Sequence, residues 1–158
     1  MKKTRKYVYP EFILNKNRTW PDKKIECSPV WCSVDLRDGN QALPVPMNPK
    51  KKLNYFKTLC LIGFKEIEVG FPSASQDDFD FVRELITCNY IPDDVRISVL
   101  TQARKHLIDR TVESLHGVSK AIVHCYVATS DLHSSIVFGK TRKEVLKMAI
   151  DGTKDIIS

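Results

Sequence analysis

From about Val30 onward, short β-rich runs alternate with helix-patterned segments, and this alternation narrows the possible folds more than any other feature of the chain. Residues 29–36 read as a first strand. Asn48-Pro49 then supplies an N-cap followed by proline at the first helical position. Leu53, Phe56 and Cys60 repeat at helical spacing, and Gly63 suits the stop. Residues 65–69 form a second strand ending at Gly70-Phe71-Pro72. Ser75 opens a second helix with Asp77 and Asp78 in its first turn, where carboxylates favour the helix dipole. Phe79, Val82 and Ile86 give that helix an apolar stripe. Residues 95–100 are a third strand. Residues 104–115 are a third helix, with Leu107, Ile108, Val112 and Leu115 apolar and Gly117 beyond its end. Residues 121–128 are a fourth strand. Thr141-Arg142-Lys143-Glu144 is a capping box opening a fourth helix through Val145, Met148, Ala149 and Ile156.

The order βαβαβαβα predicts an α/β fold, a parallel sheet with crossover helices. Both an open doubly wound sheet and part of a (β/α)8 barrel satisfy it. A full barrel takes about 250 residues, so four units amount to half of one. Residues 1–30 show no sustained periodicity and are punctuated by Tyr9-Pro10, Trp20-Pro21 and Ser28-Pro29, which predicts an irregular N-terminal arm before a domain over residues 31–158. The last residues, Asp155-Ile156-Ile157-Ser158, carry no turn signal and read as an interruption of the pattern.

Composition excludes several classes of function. With 42% hydrophobic and 28% charged residues, the 158-residue chain suits a globular domain with a sizeable core. No apolar run approaches the roughly 18–20 residues of a membrane span. The basic N-terminus is followed by Tyr7-Val8-Tyr9-Pro10-Glu11, which is no signal-peptide core. The net charge of +6 raises nucleic acid as a partner, but the basic residues are dispersed and no zinc-finger or RNA-recognition spacing is present, so a solvated surface is the reading taken. The five cysteines are odd in number and irregularly spaced; Cys60, Cys88 and Cys125 lie in apolar segments and read as buried free thiols. A reducing, cytoplasmic setting is expected.

In either architecture the functional face lies at the carboxyl ends of the strands. Period-two alternation puts Ser33, Asp35 and Arg37 on one face of the first strand. Adjacent to Arg37 is Asp38. An Asp there can ligate a hard divalent cation, and an Arg can stabilise a developing enolate or alkoxide; a salt-bridged turn is the alternative. In the second strand Ile67 and Val69 face the helices, which sends Glu68 inward, where a carboxylate needs a partner. Arg37 is the candidate. Glu66 sits lower on that face or at the strand start. His124 and Tyr126 share a face of the fourth strand, with Thr129 and Ser130 at its end. His106 and His116 fall on or after the third helix, and His133 falls in a loop. No two histidines have metal-ligand spacing, so Asp38 is the one convincing ligand, too few for a tight site.

These residues also carry a resemblance. Leu36-Arg37-Asp38-Gly39-Asn40-Gln41-Ala42-Leu43 resembles the opening motif of the 2-isopropylmalate synthase family, within the metal-dependent aldolase-like barrels. Ile67-Glu68-Val69-Gly70-Phe71-Pro72-Ser73-Ala74-Ser75-Gln76, Val99-Leu100-Thr101-Gln102-Ala103-Arg104 and His124-Cys125-Tyr126-Val127-Ala128-Thr129-Ser130 follow in the family's order. The resemblance implies the N-terminal half of a (β/α)8 TIM barrel. It implies condensation of acetyl-CoA with 3-methyl-2-oxobutanoate, assisted by a divalent cation (magnesium, manganese or zinc), in leucine biosynthesis. Residue by residue, Asp38 matches the metal-binding Asp, Arg37 the transition-state Arg, and Glu68 the strand-two carboxylate of the pocket. His124 matches a histidine of the 2-oxo acid pocket, with Tyr126 and Thr129 as further substrate contacts.

The resemblance also implies what this stretch lacks. The family's His-x-His metal pair comes from a later strand, and the region carrying homodimer contacts and leucine feedback follows the barrel. The expectations are therefore a fragment that is inactive alone and needs the C-terminal half of the barrel, with small-molecule substrates and neither nucleic acid nor membrane as partner. A truncated or split gene product and a sister citramalate or homocitrate synthase are the alternatives. The stretch from Gly70 to Gln76 favours the isopropylmalate branch.

Overall fold

The computed structural model describes residues 27–157; most of the expected N-terminal arm lies outside them. Four strands, β1 (Cys32–Ser33), β2 (Glu66–Gly70), β3 (Arg96–Gln102) and β4 (Ala121–Tyr126), form one sheet. Four helices follow them in turn: α1 (Pro49–Ile62), α2 (Gln76–Thr87), α3 (Lys105–Ser114) and α4 (Arg142–Ile157). The spatial order is β1-β2-β3-β4 and every pairing is parallel. A doubly wound sheet reverses its strand order at a switch point, whereas a barrel adds each strand beside the last. The sheet shows no reversal, so the architecture is that of a partial (β/α)8 barrel.

The helix boundaries follow local chemistry. Asn48 caps α1 by accepting the Lys51 N–H at 2.9 Å, and Gly63 ends it at φ +107°, a left-handed turn that glycine adopts without strain. Ser75 caps α2 through the Asp78 N–H at 3.1 Å. The capping box of α4 is present: Glu144 Oε2 accepts the Thr141 N–H at 2.8 Å. Among the described residues, no helix is long and apolar enough to cross a membrane.

The core lies between the sheet and its helices. Ile67, Val69, Ile97 and Val99 pack from the strands against Phe56 and Leu59 of α1 and Phe81, Val82 and Leu85 of α2. Each such side chain contributes about 1.5–3 kcal/mol on burial. The strand residues between them face the other way, among them Glu68 and Ser98.

Several expectations need correction. The first strand is only two residues long. At Asp35 the backbone winds into a single π-helical turn, Asp35–Gly39, in which the N–H groups of Arg37, Asp38 and Gly39 all point to the Val34 carbonyl. Strand alternation therefore does not set the direction of Asp35 or Arg37. In α2 the buried face is Phe81, Val82 and Leu85, leaving Phe79 and Ile86 half-buried. Arg110 stacks over the Phe79 ring at 3.5 Å. In α3 the buried residues are Ile108, Thr111 and Ser114, while Val112 is exposed. The two hydroxyls tolerate burial because each donates to a carbonyl of its own helix, at 2.8 and 2.6 Å. Cys88 is exposed at the end of α2, and Cys60 and Cys125 are half-buried, so none of the three is fully buried. β4 ends at Tyr126 rather than at residue 128, and His133 opens a second π-helical turn, His133–Val137, instead of lying in a loop.

Candidate active site

Three elements converge at the carboxyl ends of the strands. Glu68, near the end of β2, is 2% exposed. Arg37 Nε, from the turn after β1, donates to its Oε1, and His124 Nδ1, from β4, lies 2.8 Å from its Oε2. An ionised carboxylate only accepts, so the proton of this second bond resides on Nδ1. The Nε2 of a neutral His124 is then an acceptor on a ring whose side chain is half exposed. Arg37 reaches outward as well: its Nη1 donates to Asp38 Oδ1 at 2.7 Å. Exposure rises along this chain of contacts, from Glu68 through Arg37 at 14% to Asp38 at 65%.

This partition fits the desolvation argument. Burying Glu68 alone would cost several kcal/mol, and pairing with a guanidinium plus a second hydrogen bond offsets that cost. The fork of Arg37 lets one side chain hold the buried carboxylate while presenting a rim carboxylate. The Cys32 thiol is pushed above its ordinary value, first by burial and then by the negative charges of Glu68 and Glu66.

Tyr126 sits near this cluster. Its hydroxyl oxygen accepts the Gln102 Nε2–H at 3.0 Å, and its ring meets Phe71 edge-on, centroids 6.5 Å apart at 70°. With an acceptor site filled, the hydroxyl keeps its own proton to donate. Gln102 and Tyr126 also line a cavity of about 230 Å³ with Arg104, His133, Phe138 and Met148. Thr129 is not brought into the cluster; it is exposed and lines a different cavity with Ser134, Arg142 and Val145. Ser130 instead contacts His133, with Oγ 2.6 Å from Nδ1.

Sequence reasoning did not single out Gln102, on this face, or Lys52, which is buried against Asp78 between α1 and α2. For Gln102 the signal was period two along β3, which puts it beside Tyr126 in register. For Lys52 there was none, because a lysine inside a charged run reads as solvated.

The donor set can be tested against a divalent cation. Asp38 fits as one ligand: it is a hard, exposed oxygen donor at the rim. Among the described residues, no group of three or more His, Cys, Asp or Glu side chains is placed to hold a metal ion. Glu68 is committed to Arg37 and His124. These residues therefore fit a single point of a metal site and not a whole one.

A one-directional parallel β/α sheet with a charged cluster at its carboxyl ends is the plan of a barrel enzyme. Comparison with known proteins is more specific. The chain belongs to the HMGL-like family, whose model matches residues 28–158. It is 58% identical over 150 residues to a 2-isopropylmalate synthase of Clostridium acetobutylicum, covering 94% of this chain and 27% of that protein. Against the 2-isopropylmalate synthases of Arthrobacter sp. FB24 and Corynebacterium glutamicum strain R, identity is 59% and 58%, over 87% and 93% of this chain and 24% of each of those proteins. The chain thus spans about a quarter of the length of the curated relatives it matches. The resemblance drawn from the motifs agrees with these matches.

Proposed function

We propose that residues 31–158 form the first part of the catalytic barrel of a synthase that condenses acetyl-CoA and 3-methyl-2-oxobutanoate, with water, to 2-isopropylmalate and CoA. The observation that carries this is the convergence of Arg37, Glu68 and His124 from three different strand ends onto one face. Arg37 stabilises negative charge as it develops on the enolate or alkoxide oxygen. Glu68 fixes the orientation of Arg37 and holds the His124 proton on Nδ1. That leaves the Tyr126 hydroxyl to donate to the 2-oxo acid, whose oxygens only accept, and His124 Nε2 beside it as an acceptor for a water or an acidic proton. Asp38 supplies one ligand to a divalent cation; when bound, such an ion polarises the 2-oxo acid carbonyl as a Lewis acid.

A cytoplasmic setting for the whole protein is in keeping with the free cysteines among the described residues, and a homodimer is part of the same proposal. The test is CoA release by the full-length protein, read with a thiol reagent, for three 2-oxo acids. The expected result is preference for 3-methyl-2-oxobutanoate. Preference for pyruvate or 2-oxoglutarate would overturn the assignment.

A further inference from the structure

Two charged residues outside this cluster are held between α1 and α2, and the chemistry above uses neither. Lys52 is 4% exposed. Its Nζ pairs with Asp78 Oδ1 and lies 5.3 Å from the centroid of the Phe81 ring. The other oxygen, Asp78 Oδ2, accepts the backbone N–H of Phe71 at 2.7 Å. Gly70 is pressed against the same carboxylate: a Cβ there would stand 3.0 Å from Asp78 Cγ and 3.1 Å from Oδ2. The carboxylate is thus clamped to the exit of β2, two residues beyond Glu68.

At that point the ladder to β3 is irregular. Glu68 pairs with Ser98, but the next partner, Val99, is matched by Gly70, and Val69 is passed over. Such a bulge re-aims side chains and removes part of the ladder's hold on them. The bond from the Phe71 N–H to Asp78 supplies a substitute hold. Phe71 in turn sets its ring against Tyr126. A buried ion pair adds little net stability over apolar side chains of similar size, so stability alone gives no reason for a lysine here.

We propose that Lys52 and Asp78 are positioning residues for the active site. Their ion pair fixes the irregular exit of β2, so that Glu68 spans Arg37 and His124 and Phe71 keeps Tyr126 in place. This rests on the reading of Glu68 and Tyr126 as site residues.

The test uses the full-length protein carrying Lys52→Met, which removes the cation at similar length, and separately Asp78→Asn, which keeps an acceptor for the Phe71 N–H. Lys52→Met is expected to lower kcat about 10- to 100-fold, the scale of a misplacement near 1 Å. KM for the 2-oxo acid rises as well, because His124 and Tyr126 are the contacts displaced, while KM for acetyl-CoA stays within about twofold. The nitrogen NMR signal of His124 Nδ1 in isotope-labelled protein shifts as its bond to Glu68 loosens. A folded Lys52→Met protein with an unmoved His124 signal overturns the proposal, even where activity falls along with Tm. Where Lys52→Met does not fold, the same readings on Asp78→Asn decide. Full activity in Glu68→Gln would refute the role given to Glu68, and the His124 signal in Lys52→Met would still decide the positioning.

Discussion

Glu68→Gln is the sharpest probe of the site, because it changes charge at nearly constant volume. Glu68 is 2% exposed, and its two oxygens each take a hydrogen bond, one from Arg37 Nε and one from His124 Nδ1. Glutamine offers one oxygen and one NH2 group. The oxygen must face Arg37, which can only donate. The NH2 then faces His124, and the two N–H groups oppose each other unless the imidazole moves its proton to Nε2. The substitution is therefore expected to switch the tautomer of His124 and remove the acceptor that Nε2 offers on the site face. The His124 bond falls from the charged class, about 1.5–3 kcal/mol, to the neutral one, about 0.5–1.5, and the Arg37 bond keeps its charged donor but loses the opposing charge, for a combined loss of roughly 2–3 kcal/mol. Relief of the buried charge returns part of this, and Arg37 keeps its contact with Asp38. A net loss of about 1–2 kcal/mol remains. Urea unfolding gives the stability change, and nitrogen NMR of the labelled histidines gives the tautomer. A variant with stability within about 0.5 kcal/mol of the parent and the proton still on Nδ1 would refute the reasoning, since surface-like indifference of that size is incompatible with a buried bridging carboxylate.

The remaining predictions are independent of one another. Arg37→Lys cannot serve Glu68 and Asp38 through one planar fork, and kcat of the full-length protein should fall about 100- to 1,000-fold; a loss under about threefold would count against Arg37. Gly152→Ala puts a Cβ 2.9 Å from Ala103 Cβ and 3.1 Å from Ala103 Cα, so α4 must lift from the end of β3. Overpacking of about 1–3 kcal/mol should outweigh the gain in helix propensity of about 1 kcal/mol. Ala103→Gly should relieve the clash in the double variant, and strict additivity in urea unfolding would refute it. Burial raises the pKa of the Cys60 and Cys125 thiols, so their thiolates form at higher pH. Alkylation followed by mass spectrometry should therefore show both lagging behind Cys27 as pH rises, and equal rates at every pH would refute this.

The parts of the structure legible in the sequence were those set by local chemistry. The caps at Asn48, Ser75 and Thr141 depend on side chains that bond within a few residues, and each is found where the pattern put it. The inward direction of Glu68 followed from apolar neighbours on both sides. What was hidden depends on backbone departures from the regular period. The π-helical turn at Asp35–Gly39 has no periodic signal, so alternation assigned Asp35 and Arg37 to a strand face that does not exist. Arg37 still reaches Glu68 because its side chain is long enough to cover the difference. In α3 the buried face lies about one residue position from the apolar stripe, because hydrophobicity alone does not register a satisfied hydroxyl. Thr111 and Ser114 can be buried once their hydroxyls are satisfied by their own helix.

Lys52 shows the deeper limit. Between Lys51 and Leu53 nothing distinguishes it from its solvated neighbours, and its burial is decided by Asp78, twenty-six residues away. The same holds for Arg37 and Glu68, thirty-one residues apart, and for Glu68 and His124, fifty-six apart. Each strand-end residue was visible singly as a candidate. Their joint chemistry depends on register, which is regular up to Glu68 and Ser98 and broken just beyond them, where Val69 is passed over. A shift of a single position would send the carboxylate into the apolar layer with Ile67 and leave His124 without its acceptor. The fixed exit of β2, held by Gly70, Phe71 and Asp78, is therefore as much a part of this site as the groups that face the substrate.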